Sequence, residues 1–174
     1  MKTAVVALLV VTAGMIIAGQ SAVDPRVLAQ LQRLFPSATS FSAKEGDPPH
    51  FNAYANEPQS GARRVAGFAF WTTELEPLER GYDGPIKILV GLDALGVLTG
   101  IIVVDHHEPY GSFSIDPPEF AAQFKGKNIR DPFKVGEDID AVSRASMSIL
   151  SATRAVKNGA RRVARQLLTP QPPR

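Results

Sequence analysis

The sequence predicts an α+β domain: a mostly antiparallel, twisted sheet flanked by helices, closed by one long C-terminal helix and preceded by an apolar N-terminal segment. Three observations lead there. The β-forming runs lie together in the middle of the chain, and the clearest pair is joined by a short turn ending on glycine. Apolar residues recur at helical spacing on either side of that region, after Asp24 and after Ser143. The 174 residues suit one domain plus a targeting segment, and that is enough chain to bury a core.

Lys2 precedes an uncharged run from Ala4 to Ala18 rich in Val, Leu and Ile, the pattern of an export signal. Gly19 and Ser21 are small enough for a cleavage site. Gln20 and Ala22 extend the run toward the roughly 20 residues of a membrane span, which favours an uncleaved signal-anchor. With Lys2 on its N-terminal side and no further basic residue before Arg26, the rest of the chain is expected on the extracytoplasmic, periplasmic side. Residues 1–23 are therefore assigned to signal-anchor or signal peptide, 24–169 to the folded domain, and 170–174 to a loose tail.

Asp24-Pro25 starts a helix: an N-cap side chain is followed by proline at the first helical position, and Pro36 stops the run. Ser37 to Arg63 reads as loop with one short strand around His50 to Tyr54. Arg64 to Thr73 reads as a strand on its Val65, Phe68, Phe70 and Trp71. Ile86–Leu92 and Val97–Val104 form a hairpin over Asp93-Ala94-Leu95-Gly96, where the glycine supplies a positive φ. His106 to Asp116 is irregular. A short helix opens at Pro117-Pro118-Glu119-Phe120 and ends at Gly126, and Asn128 to Asp138 is a loop carrying one short strand. From about Ser143 to Leu168 a single helix fits, with Ile149, Ala152, Val156, Val163 and Leu167 near one face.

Composition removes several functions. Without cysteine there is no disulfide, iron–sulfur cluster, c-type haem attachment or thiol nucleophile, so redox work requires a cofactor held without sulfur. A net charge of +2 does not indicate a nucleic-acid surface, and the basic residues Arg154, Lys157, Arg161, Arg162 and Arg165 read as a solvated helix face. His106, His107 and Glu108, with His50 far upstream, do not make a metal site, because adjacent side chains in a strand point to opposite faces. No P-loop, dinucleotide glycine fingerprint or Ser/His/Asp order is present.

The start of the long helix is the chemically informative place. At Ser143-Arg144-Ala145-Ser146, two hydroxyls and several unpaired backbone N–H groups meet where the helix dipole is positive. Two readings follow: plain N-capping by Ser143, or a seat for a phosphate.

Asp140-Ala-Val-Ser-Arg-Ala-Ser146 resembles the flavinylation motif of the FMN-binding domain family, Asp-x-x-Ser/Thr-Gly-Ala-Thr/Ser, in which the last hydroxyl receives flavin mononucleotide (FMN) through a phosphoester. Gly81-Tyr82-Asp83-Gly84-Pro85-Ile86, Val90-Gly91-Leu92-Asp93, Gly96-Val97 and His106-His107-Glu108-Pro109 follow the family's order. The His-His-Glu-Pro segment and Lys44-Glu45-Gly46-Asp47-Pro48-Pro49 are most similar to the NosR/NirI branch, membrane-bound regulators of nitrous oxide and nitric oxide respiration. The likeness covers about Val27 to Leu168.

The resemblance implies FMN as cofactor, attached covalently to Ser146 by a flavin transferase or held without a bond. Asp140 would order the loop or hold a metal during transfer, and Ser143, Arg144 and Ala145 would line the phosphate end. Tyr82, Gly84, His107 and Glu108 would lie near the ring. It further implies an electron carrier rather than a self-sufficient enzyme, served by a membrane donor and an exported acceptor as separate polypeptides. A flavin-free accessory or sensor domain on the same fold is the competing expectation. Two positions depart from the family pattern. Ser146 replaces the usual threonine, and Arg144 stands in place of glycine, where a positive φ would cost an L-residue about 1 kcal/mol or more. Ser151-Ala152-Thr153 imitates the motif one turn later, but Met147 occupies its Asp position.

Overall fold

In the computed structural model, residues 23–168 are described. The expected N-terminal segment and the tail lie outside them, apart from Val23. Among the described residues no helix is long and apolar enough to cross a membrane.

Helix α1 (Pro25–Leu34) begins as its sequence dictates: the Asp24 carboxylate accepts from the N–H groups of Arg26 and Val27, with proline in the first turn. Strands β1 (Ser40–Phe41), β2 (Phe51–Asn56), β3 (Arg63–Trp71), β4 (Lys87–Asp93) and β5 (Leu98–Asp105) then pair in chain order as one five-stranded sheet. Every neighbouring pair is antiparallel. At the β4–β5 turn Gly96 adopts φ 82°, and the Asp93 carboxylate accepts from the N–H groups of Leu95 and Val97.

Strand periodicity divides the core into two layers. Phe68, Phe70, Ile88, Val90 and Leu92 face the helix α5 (Ser146–Leu167), where they meet Ile149, Ala152, Val156, Ala160 and Val163. The alternate residues Ala69, Trp71 and Leu89 face α1 and pack with Leu31, Leu34 and Phe35. Leu98 and Ile101 both join the α5 layer although their spacing is odd. The register shift between Gly91 and Leu92 inserts one extra residue in β5 and so restores the facing.

Three short elements fall where the sequence predicts otherwise. A turn of helix α2 (Thr72–Leu75) follows β3 directly, and α3 (Gly111–Ser114) sits inside the stretch expected to be irregular. Strand β1 lies in the expected loop. Helix α4 (Pro118–Ala122) opens at the proline pair as expected, and the chain reaches Gly126 at φ 83°. The segment 128–138 holds no strand, only isolated bridges from Val97 to Asn128 and from Val135 to Ile139.

The basic face of α5 is not simply solvated. Arg161 donates to the carbonyls of Ile129 and Asp131, Lys157 to that of Pro132, and Arg162 to that of Leu75, while Arg154 pairs with Glu79. These side chains fasten α5 to the 129–132 loop and to the α2 region. The same loop is closed by Asp138, which accepts from the backbone of Phe133 and Lys134 and pairs with Lys127 at 2.9 Å.

Candidate functional site

Helix α5 starts at Ser146, three residues later than its periodicity predicts, and Arg144 is the reason. It adopts φ 69°, a left-handed conformation that a right-handed helix cannot include. The chain therefore turns at Val142–Ala145, where the Ala145 N–H donates to the Val142 carbonyl, and enters the helix with Ala145 as N-cap. No side chain caps it. Ser143, the candidate cap, makes no capping bond, and the N–H groups of the first turn point outward at the positive end of a 22-residue helix.

A cleft of about 310 Å³ opens at this helix end. Arg144, Ala145, Ser146, Met147 and Ser148 form one side, and Tyr82 and Tyr110 stand across from them. Ser146 is exposed, and its hydroxyl has no protein partner among the described residues. Tyr82 and Met147 are 71% and 58% exposed, far more than packed aromatic and thioether groups normally are, so the cleft presents open apolar walls beside an anion-attracting floor. Tyr110 is backed by Phe113, with ring centroids 5.3 Å apart.

The remaining candidates fall at different distances from this cleft. Asp140 is exposed and outside the lining; its backbone N–H donates to the Gln123 side chain at 2.6 Å. Gly84 adopts φ 118° and closes the 81–84 turn, its carbonyl accepting from the Gly81 N–H at 2.7 Å. His107 is outside the cleft lining as well. Glu108 is buried, and both of its carboxylate oxygens are engaged. It accepts from the N–H groups of Tyr82 and Asp83, each at 2.9 Å, and from the Ser148 hydroxyl. Burial on its own would raise the Glu108 pKa; the bonds from Ser148, Asp83 and Tyr82, with His106 nearby, outweigh it and hold the group below the ordinary glutamate range.

His106 is engaged too. Its Nδ1 accepts from the Glu108 N–H at 3.0 Å, which leaves the proton on Nε2, 2.7 Å from Asp116. Among the described residues no three His, Cys, Asp or Glu side chains are grouped to hold a metal. Tyr110, Met147 and Ser148 line the cleft without having been singled out by sequence. Met147 and Ser148 adjoin the motif, and Tyr110 follows the His-His-Glu-Pro segment, so adjacency was the available signal.

The donor set fits an FMN phosphate end: uncapped first-turn N–H groups, a guanidinium that can pair with phosphate, and the Ser146 hydroxyl, while Ser143 is exposed and lies outside the cleft lining. The aromatic walls suit a flat ring. Fold and cleft together define a small α+β domain with an anion seat at a helix N-terminus, bordered by aromatic groups. The model of the FMN-binding domain family matches residues 81–161 of this chain, from the turn that carries Tyr82 into α5.

Among characterised relatives, it is 27% identical to the regulatory protein NosR of Stutzerimonas stutzeri over 145 residues, 78% of this chain and 19% of that protein. The NosR of Pseudomonas aeruginosa is 27% identical over 152 residues, 79% of this chain and 20% of its own. A component of the ion-translocating oxidoreductase complex of Haemophilus influenzae is 43% identical over 47 residues, 27% of this chain and 21% of that component. The chain thus spans about a fifth of the length of the relatives it matches.

Proposed function

We propose that this chain is a membrane-tethered, extracytoplasmic electron carrier with FMN joined by a phosphoester to Ser146. The observation that carries the reading is the exposed Ser146 hydroxyl at an uncapped helix start, inside the family-matched segment and facing an aromatic-walled cleft. When bound, the flavin supplies one- or two-electron chemistry, which a cysteine-free chain lacks. The protein's own residues hold and shield it. The first-turn N–H groups and Arg144 take the phosphate, Ala145 lines that end, and Tyr82, Tyr110 and Met147 cover apolar surface. Asp140, outside the cleft but within the motif, serves the transferase that attaches the flavin. Donor and acceptor are separate redox proteins, a reading supported by the Haemophilus influenzae relative, which is itself one component of an oxidoreductase complex.

Production of the full chain in the presence and absence of a flavin transferase tests this. The expected product is yellow, fluoresces as a denatured band, and forms only with the transferase. A colourless protein in both cases, with no affinity for added FMN, would favour the flavin-free accessory domain.

A further inference from the structure

The three segments that line the cleft converge on one buried carboxylate. Glu108 is 6% exposed and receives the backbone N–H groups of Tyr82 and Asp83 from one wall. From the other wall it receives the hydroxyl of Ser148, itself 3% exposed and in the first turn of α5 with Ser146. The third lining segment is its own: Tyr110 follows two residues later, and its carbonyl accepts from Ser114 at 2.7 Å. Gly81 makes this convergence possible, because a Cβ there would stand 2.3 Å from Glu108 Oε1.

From this geometry we infer that Glu108 and Ser148 are a positioning pair, which fixes the Tyr82 loop against the first turn of α5 and so sets the width of the cleft that takes FMN. A buried ionised group is an expensive way to pack two segments, and apolar side chains of similar volume would serve stability as well or better. What a carboxylate supplies is directional: three donors with defined angles, so that Tyr82 and Ser146 stand at one spacing. Glu108 thus acts through Ser148 and the 81–83 backbone, and does not contact the flavin itself.

The inference rests on the cleft being the FMN site, and the test separates the two. In the full chain, amide hydrogen exchange of Tyr82 and Asp83 is measured without flavin, together with affinity for added FMN, in Glu108→Gln, Ser148→Ala and the double variant. Gln keeps the shape but turns an N–H₂ group toward one of the donors, so exchange at Tyr82 and Asp83 rises at least about tenfold while the α5 core around Val156 stays protected. FMN affinity falls about tenfold in Glu108→Gln and less in Ser148→Ala, and the double variant is no worse than Glu108→Gln, because one shared bond is lost only once. Unchanged exchange at Tyr82 and Asp83, or additive losses in the double variant, would overturn the positioning pair. Wild-type protein that takes up no FMN, either added or during production with a flavin transferase, would overturn the functional reading instead, with the exchange result still deciding whether the pair holds the walls.

Discussion

The ring of Phe70 fills the space that a side chain on Gly159 would need: a Cβ built there stands 2.6 Å from Phe70 Cε2. Phe70 belongs to β3 and is fully buried, so it has nowhere to retreat. Glycine in the middle of α5 costs about 1 kcal/mol of helix propensity relative to alanine, and this close approach is what it obtains in return. Gly159→Ala is therefore expected to destabilise the domain by about 1–2 kcal/mol despite the better propensity, since overpacking outweighs it. A lower urea midpoint with unchanged slope would record this.

Arg144 gives a second prediction, with opposite signs for stability and binding. Its φ of 69° is a conformation that glycine adopts without penalty. Arg144→Gly should stabilise the flavin-free domain by about 0.5–1 kcal/mol, read as a higher thermal midpoint. The same change removes the cation beside the phosphate seat, so affinity for added FMN should drop several-fold and become less sensitive to salt. A midpoint that does not rise would mean that the turn carries no strain.

The pH dependence of stability follows from two carboxylates. Glu108 and Asp138 both sit below their ordinary pKa in the folded protein. For each, burial opposes ionisation, but the bonds they accept outweigh it: from Ser148, Asp83 and Tyr82 with His106 nearby for Glu108, and from Lys127, Lys134 and Phe133 for Asp138. A depressed folded pKa contributes stability that is present above the unfolded value and lost as pH falls through the folded one. Stability should thus decline on the acid side of the ordinary carboxylate range. Glu108→Gln and Asp138→Asn should each be less stable at neutral pH and show a shallower acid limb, in urea midpoints taken across pH.

Much of the fold was legible because it is encoded locally. Asp24 and Pro25 mark the start of α1, Gly96 closes the hairpin, and the alternation of Phe68, Phe70, Ile88 and Val90 puts one face of the sheet toward α5. Elements of two to four residues, such as β1, α2 and α3, carry too few positions for a period to register. Periodicity missed the late start of α5, because Arg144 has good helix propensity; the glycine usual at that position in the resembled family was the signal of the left-handed turn that excludes it.

The site was legible where it follows a motif and opaque where it depends on distant pairing. Ser146, Arg144 and Tyr82 line one cleft. The bonds that give Glu108 its surroundings reach back 26 residues to Tyr82 and forward 40 to Ser148, and no spacing rule joins these segments. These bonds put the buried Glu108 carboxylate between the Tyr82 loop and the first turn of α5.

The most direct test of the central proposal is peptide mapping by mass spectrometry of the chain produced together with a flavin transferase. The expected result is a mass increase equal to esterified FMN on the peptide containing Ser146, retained in Ser151→Ala and abolished in Ser146→Ala. An unmodified Ser146 peptide, or a flavin that maps to another hydroxyl and survives Ser146→Ala, would contradict it.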